Sequence, residues 1–521
     1  MKEFPTISNI YLITTHRCNL ACRYCFVHQD PHDMPLKVGL DAIDWLVANN
    51  PEGTQHQVFF FGGEPLLRFH DLMEPVVLYA ERKYPNRKIS FSMTTNSVLM
   101  DDEVLQFIHD HNIGVLTSID GNKECQGYNR PFHDGSSSAD IVEEHVKKYI
   151  ESGKVSTFRS TILPATCHLM FDNYLYAKSL GYRSMFGLTN AYEVWPADKR
   201  KEVYDQMKKI ADHYIDYFRE HNEVFLGWSN IERHFREVYN DIKLEERGEE
   251  RPNMFTDQKC GYGQNSNAAV AVNGDLYGCQ ELVSNEGKKN TFWIGNIYTG
   301  VENERRQALY DLFYSFPKTG DMACADCPAR SICNGGCSAT NYVLTGDLNH
   351  CPPGHCFYFR HSYSIARYIV ESLMDNQAFF NQFLANGNNQ RNRCNGCQIC
   401  QGENSNTNGN RNNNQMNRNN NNNNNGSQQQ WRNNNNANGN NNQQRNNNAN
   451  TNSRLTPTTN KEISTVINNG PVQTAPTPLK DVNPINANSL TSASAIHGWN
   501  NSKKTCDGSC GDKTKCNGSC H

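Results

Sequence analysis

The 521-residue chain has no surplus of charge. Its 50 Lys and Arg stand against 54 Asp and Glu, a formal net charge of −4, which leaves no electrostatic case for a nucleic-acid partner. It lacks any run of about 20 apolar residues, the length a helix needs to cross a bilayer, so no membrane span is expected. The N-terminus, Met1-Lys-Glu-Phe-Pro, lacks the basic and then apolar pattern of a secretory signal, and a cytoplasmic location is the expectation. The last quarter of the chain lacks core-forming residues. Asn and Gln runs extend from Asn386 to about Asn452, and a Thr/Pro/Asn/Ser-rich stretch reaches Asn501. Such a segment buries too little apolar surface to offset its chain entropy and is expected to be disordered. That tail accounts for the mean hydropathy of −0.73 and the 37% hydrophobic content. Up to about Phe383 the composition is that of an ordinary globular protein, with room for two or three domains in the whole chain.

What the chain has in quantity is cysteine, 20 residues. In a cytosolic protein this argues for metal binding or redox chemistry and against disulfides. Cys18, Cys22 and Cys25 follow the apolar run Ile10–Thr14 at spacing C-x3-C-x2-C, with Phe26 next. Thiolates are the normal ligands of a [4Fe–4S] cluster. Three of them fill three irons and leave the fourth open for a substrate or cofactor, as an open position does in catalytic zinc sites. The competing reading is a partial zinc site or three unrelated thiols.

From Met1 to about Asn240, β-like runs alternate with helical patterns, which points to an α/β fold with a parallel sheet covered by helices. Strands are expected at 8–15, 57–61, 88–95, 113–119, 155–163 and 184–188. Helices are expected at 39–49, 70–83, 101–111, 139–152 and 168–180. The polar candidates fall just after the strands, the edge on which barrel enzymes place their sites. Further on, 199–220 and 230–248 read as amphipathic helices bridging to the next domain.

The three-cysteine loop resembles the signature of the radical S-adenosylmethionine (radical SAM) superfamily. The resemblance implies a partial (β/α)6 TIM-like barrel and a [4Fe–4S] cluster on Cys18, Cys22 and Cys25. In that family the open iron binds S-adenosylmethionine, whose reductive cleavage releases a 5′-deoxyadenosyl radical. Gly62, Gly63, Glu64 and Pro65 resemble the motif that meets the cofactor's amino group; glycines let the backbone come close, and Glu64 offers an acceptor. Asn96, after the third strand, is a candidate ligand contact or a turn former. Ser118 and Asp120 resemble the fourth-strand motif that meets the ribose and carboxylate. Arg130, in Asn129-Arg130, and Arg159 are candidate carboxylate partners, because a guanidinium fork matches a carboxylate. Phe26 matches a family position near the adenine. Cys125 and Cys167 fit no motif, and Phe59–Phe61 read as sheet core.

A second set of cysteines runs Cys260, x13, Gly274, x4, Cys279, then Cys324-x2-Cys327-x5-Cys333-x3-Cys337, then Cys351 and Cys356. These spacings resemble the SPASM extension of radical SAM enzymes; a four-thiolate zinc site is the alternative. The resemblance implies two auxiliary iron–sulfur clusters. One is held by Cys324, Cys327, Cys333 and a later cysteine, Cys356 in preference to Cys351. The other is held by Cys260, Cys279 and Cys337, with its fourth ligand open. In the sulfatase-maturating branch an aspartate after the G-x4-C cysteine acts as base. Here Gln280, which cannot accept a proton, follows Cys279, a departure that counts against the sulfatase-maturating branch; the catalytic residue is otherwise unknown, and Glu281, next along, is the one candidate to substitute.

The expected organisation is a radical SAM core over 1–240, a bridging region and SPASM domain over 241–384, an Asn/Gln-rich linker over 385–505 and a cysteine-repeat tail over 506–521. The tail carries Cys506, Cys510, Cys516 and Cys520 in a near-duplicated Cys-Asp/Asn-Gly-Ser-Cys; Cys394, Cys397 and Cys400 sit at the linker's start. Short cysteine repeats resemble precursor peptides that some SPASM maturases cross-link. The tail reads as a fused substrate or as a metal-loading segment. The expected function is maturation of a cysteine-rich ribosomal peptide by thioether formation, with flavodoxin or ferredoxin as electron donor. The alternatives are formylglycine formation on a sulfatase and a non-enzymatic zinc-binding protein.

Overall fold

Period-two alternation in the first strands produces a sheet with one face turned to helices and the other turned inward. The computed structural model describes residues 3–251, 266–283, 290–314 and 317–385. Cys260 and the tail from residue 386, with all its cysteines, lie outside the described residues. Strands β1 (Asn9–Thr15), β2 (Gln55–Gly62), β3 (Lys88–Thr95) and β4 (Gly114–Thr117) pair in parallel in that order. A single parallel bridge, Ser118 to Arg159, links β4 to β5 (Phe158–Ile162). Then β5 pairs with β6 (Ser184–Thr189), and β6 with the two-residue β7 (Gly227–Trp228). This is the expected partial barrel. Ile10, Leu12, Val58, Phe60, Phe91 and Met93 are buried in one core with Ala42, Ile43 and Leu46 of α1 (Leu36–Ala48) and Val76 and Val77 of α2 (Glu74–Lys83). The alternate side chains are half-buried on the other face: Tyr11 stacks on Phe59 at 4.5 Å and meets Phe61 edge-on.

The connecting helices are α3 (Asp102–Asp110), α4 (Lys123–Asn129), α5 (Ala139–Glu151), α6 (Met170–Ser179) and α7 (Ala197–His221). Asp101 and Asn122 cap α3 and α4 by accepting the Val104 and Cys125 N–H groups, each at 3.0 Å. Three expected helices are divided, the 168–180 helix into a 3-10 turn, Cys167–Leu169, and α6. The helix expected from His70 is instead a π-turn, Phe69–Met73, followed by α2. Pro75 lacks the N–H that would continue the ladder, so it belongs in the first turn of a helix. The 230–248 helix is α8 (Ser229–Glu232) and α9 (Phe235–Glu246), parted at Arg233 and His234, where the His234 side chain is buried.

The second cysteine region grows from the open edge of the barrel sheet. β8 (Asn267–Val270) pairs in parallel with β1, from Asn9 opposite Asn267 to Leu12 opposite Val270. It continues antiparallel through β9 (Asp275–Tyr277), β10 (Trp293–Asn296) and β11 (Gly300–Val301). Gly274 takes φ +84° in the tight turn before β9, a conformation that favours glycine. Buried Asp275 accepts from Trp293 Nε1 at 2.8 Å and Asn296 Nδ2 at 2.9 Å, which fixes the hairpin. α10 (Asn303–Tyr314), α11 (Ser338–Thr345), α12 (Pro353–Leu373) and α13 (Gln377–Phe379) complete the described chain. α12 packs against α7 and α9, and its Tyr358 hydroxyl accepts from Asn230 at 2.8 Å and donates to the Gly187 carbonyl of β6. Among the described residues no helix is long and apolar enough to cross a membrane.

Candidate active site

β1 ends at Thr15 and delivers Cys18 three residues later. The loop from Cys18 to Cys25 is shaped by the segment after α4. Ala21 N–H donates to Pro131 O at 2.8 Å, Arg23 N–H to Asn129 O at 3.0 Å, and Leu20 bridges to Phe132. Cys25 N–H closes a turn on Cys22 O at 3.2 Å. The three thiols are half-buried. Burial pushes Cys18 up to about 12, Cys22 up to about 11 and Cys25 upward too. The charges of Cys22 and Cys25 also raise Cys18, so the three share one neighbourhood. Arg130 pulls Cys22 and Cys25 the other way. Buried thiols of this kind stay protonated unless a metal ion displaces the proton.

The Gly-Gly-Glu-Pro turn is sewn to this loop. Gly63 N–H donates to Thr15 O at 2.8 Å and Glu64 N–H to Arg17 O at 2.9 Å. A Cβ on Gly62 or Gly63 would press into the Thr15 or Arg17 carbonyl, and Gly62 has φ +142°. Glu64 is buried, and both its oxygens are engaged: Leu66 N–H at 3.1 Å and Thr95 Oγ1 at 2.8 Å on one, Asn96 N–H at 2.8 Å on the other. Burial pushes its carboxyl up to about 7 against those donors. Pro65 opens the 3-10 turn Pro65–Arg68. Asn96 donates from Nδ2 to Asn19 Oδ1 at 2.7 Å, inside the thiol loop.

Asp120 is the hub of the next strand end. Its oxygens accept from Tyr24 Oη at 2.7 Å, Asn129 Nδ2 at 3.1 Å, Arg130 Nη2 at 3.1 Å and Thr161 N–H at 2.8 Å. The Asp120 side chain is 0% exposed and that of Arg130 10%. Burial works against charge on Arg130, but Asp120, Tyr24 and Cys22 outweigh it and hold its pKa well above the ordinary value. Arg130 also lies over the Tyr24 ring, 5.2 Å from its centre. Ser118 is half-buried and donates its N–H to Thr95 O at 2.8 Å. Arg159, on β5, lies over the Phe186 ring, and burial lowers its pKa. Phe26 is 43% exposed and stacks on Phe61 at 6.5 Å. Tyr24 and Thr95 escaped the sequence reading. Tyr24 had one signal, a phenol between two thiols in Cys22-Arg-Tyr-Cys25.

The second thiol region divides in two. Cys279 follows β9, and Cys337 caps α11 and contacts Glu281 Oε2 at 3.3 Å. Burial raises the Glu281 carboxyl, while Cys337 and the charge of Arg159 oppose it. Cys324 and Cys327 flank a 3-10 turn, Cys333 accepts from Gly335 N–H at 3.2 Å, and Cys356 lies on the first turn of α12. The charge of Cys356 acts on Cys324, Cys327 and Cys333. Cys351 is 2% exposed, and its interaction with Cys356 pushes its thiol upward. Lys318, also buried, lowers Cys324, Cys333 and Cys351.

Residues 12–166 match the radical SAM superfamily model. An uncharacterized protein of Methanocaldococcus jannaschii is 35% identical over 133 residues, 25% of this chain and 45% of that protein, so the match spans less than half of that relative. A serine-type anaerobic sulfatase-maturating enzyme of Bacteroides thetaiotaomicron is 23% identical over 385 residues, 69% of this chain and 90% of that protein. The solved structure of native anSMEcpe with bound AdoMet and Cp18Cys peptide superposes with a TM-score of 0.54 at 20% identity, covering 72% of this chain and 99% of that one. The radical SAM match begins in β1, takes in the thiol loop, the Gly-Gly-Glu-Pro turn and the Asp120 hub, and ends at Thr166, so this part of the chain is a radical SAM domain.

Proposed function

We propose that this enzyme is a peptide maturase that cross-links a cysteine-rich, ribosomally made peptide through thioethers. One observation supports it above the others. The region holding Cys279, Cys337, Cys324, Cys327, Cys333 and Cys356 is joined by β8 to the edge of β1, the strand that leads to Cys18. Radical generation and electron-accepting thiol sites would thus share one framework. The sulfatase-maturating relative and the peptide-bound neighbour act on protein or peptide substrates by their names, which agrees with a peptide partner here.

In this reading Cys18, Cys22 and Cys25 hold a [4Fe–4S] cluster that, with S-adenosylmethionine, supplies a hydrogen-abstracting 5′-deoxyadenosyl radical. Gly62 and Gly63 let the backbone approach the cofactor closely. Glu64, Asn96 and Asp120 act mainly by holding the strand ends and the thiol loop in place, because their polar groups already have protein partners. Pro65, Ser118 and Arg130 remain candidate cofactor contacts. Cys324, Cys327, Cys333 and Cys356 hold one auxiliary cluster; Cys356 is preferred to Cys351 because it lies on the first turn of α12, whose Cys-Phe-Tyr-Phe-Arg opening resembles the helix that closes SPASM domains. Cys260, Cys279 and Cys337 hold the second. An electron donor such as flavodoxin or ferredoxin completes the set.

Forming a thioether removes one hydrogen from a peptide carbon and one proton and one electron from a cysteine thiol. The radical derived from S-adenosylmethionine would supply the hydrogen acceptor, and a cluster held by the cysteines of the second thiol region would supply the electron acceptor. The test is anaerobic reaction of the reconstituted full-length protein with S-adenosylmethionine and reductant, then mass mapping of residues 500–521. The reading predicts a loss of two hydrogens per link. An unchanged tail with 5′-deoxyadenosine still released would assign the substrate to a separate peptide. Conversion of a cysteine to an aldehyde on a sulfatase peptide would favour formylglycine formation. That second reading draws on the sulfatase-maturating relative and on the placement of Glu281 beside Cys337 within reach of Arg159's charge.

A further inference from the structure

On the two sides of the thiol loop in sequence, three side chains outside the machinery described above meet at one point. His16 Nδ1 lies 3.0 Å from Asp30 Oδ1, and His32 Nδ1 lies 2.7 Å from the same oxygen. The two nitrogens and the oxygen all fall within 4.8 Å of one another. Metal–ligand bonds of about 2.0–2.1 Å at right angles place neighbouring donor atoms about 2.9 Å apart, close to both measured separations. Two imidazoles and one carboxylate on one face are a recognised donor set for divalent first-row metals, with the remaining positions left open. The open side exists here, since the His32 side chain is 58% exposed, whereas that of His16 is 2% exposed.

Backbone pairing sets the two histidines side by side. His16 N–H donates to His32 O at 2.9 Å, Met34 N–H donates to Thr14 O at 2.9 Å, and Thr15 bridges to Asp33. Asp33 is committed elsewhere, to Thr15 Oγ1 and to Arg17 Nε at 3.0 Å. Asp30 instead accepts from the His32 N–H at 2.9 Å and faces the two imidazoles. These contacts hold its carboxyl below the usual range although burial opposes them, so the carboxylate is available as an anion.

We propose that His16, Asp30 and His32 form a binding site for one divalent transition-metal ion of the class that takes imidazole and carboxylate ligands. The site is separate from the cysteine sets and does not depend on the thioether reading. A bound ion would clamp the loop following Cys25 to His16, the residue after β1 and two before Cys18.

Mn2+ is the probe, because as a hard ion it favours carboxylate oxygen over thiolates and its paramagnetism reports any nitrogen ligand. The full-length protein is loaded with iron and sulfide anaerobically and desalted. Mn2+ is then titrated, with free ion counted by room-temperature electron paramagnetic resonance and bound ion examined by pulsed methods for 14N coupling. The expected result is one bound Mn2+ coupled to two histidine nitrogens, with affinity at least about tenfold weaker in Asp30→Asn and in His32→Ala. The exposed position of His32 makes its variant a test that does not risk the core. Absence of nitrogen-coupled Mn2+, or unchanged affinity in both variants, overturns the proposal.

Discussion

Removing the charge of Asp120 while keeping its shape, in Asp120→Asn, tests the hub on which the thiol loop rests. In the wild type, four donors converge on this fully buried carboxylate, one of them the buried guanidinium of Arg130. Breaking a buried ion pair by removing one partner costs about 3–5 kcal/mol, because the remaining charge is left uncompensated. For a folded part of about 360 residues, an unfolding entropy near 2.1 cal/mol/K per residue converts that loss to about 4–7 °C in Tm. Tyr24→Phe removes one hydrogen bond to the carboxylate and leaves the ion pair. At about 1.5–3 kcal/mol for a bond to a charged group, it should lower Tm by about 2–4 °C. Both are measured by calorimetry on cluster-loaded protein at neutral pH under anaerobic conditions. If Asp120→Asn melts within about 1 °C of wild type, the buried pair is not holding the loop and the reasoning fails.

Four further outcomes follow from the same structure. Cys356→Ser should lose the iron and sulfide of one cluster, whereas Cys351→Ser should keep them; iron analysis decides, and equal loss would make Cys351 a ligand. Gly63→Ala forces a methyl into the Arg17 carbonyl, at about 1–3 kcal/mol or more, and should lower Tm and speed iron loss from the first site. Buried His234 and His361 are held down at about 3 and about 4 by burial, from an ordinary 6.5. The unfolded chain therefore binds protons that the folded one refuses. Their contribution to stability is full above pH 6.5 and falls as pH drops toward 4, a slope that His361→Gln should flatten in denaturant titrations. Glu281→Gln should leave iron content unchanged, and product mass analysis should show whether peptide modification stops, as a base role requires.

The strand ladder was legible because short apolar, β-branched and aromatic runs end at turn residues: β3 runs over 88–95 as expected, and β1, β2 and β6 agree within two residues at either end. Short elements were not. β4 and β5 are shorter than their apolar runs, since only Ser118 and Arg159 bridge between them. α4 has seven residues and no periodicity to find. Sequence spacing picked out Cys18, Cys22, Cys25 and the strand-end residues, because ligand and turn motifs are local. It could not show that Glu64 and Asp120 spend their carboxylates on protein donors, because those partners come from β3, the thiol loop and β5. Nor could it show β8 joining β1, a pairing 258 residues apart in which Asn9 donates to Asn267. His16, Asp30 and His32 escaped notice for the opposite reason: their spacing matches no common pattern, and a backbone pairing between 14–16 and 32–34 brings them together.

The central claim is that Cys18, Cys22 and Cys25 support radical chemistry on S-adenosylmethionine. The direct measurement is 5′-deoxyadenosine release by the anaerobically reconstituted full-length protein with reductant, beside a variant with all three of those cysteines changed to alanine. The account predicts 5′-deoxyadenosine from the wild type and none from the variant, with iron falling by about one cluster's worth and not to zero. A wild type that holds its iron, binds S-adenosylmethionine and never releases 5′-deoxyadenosine would contradict it.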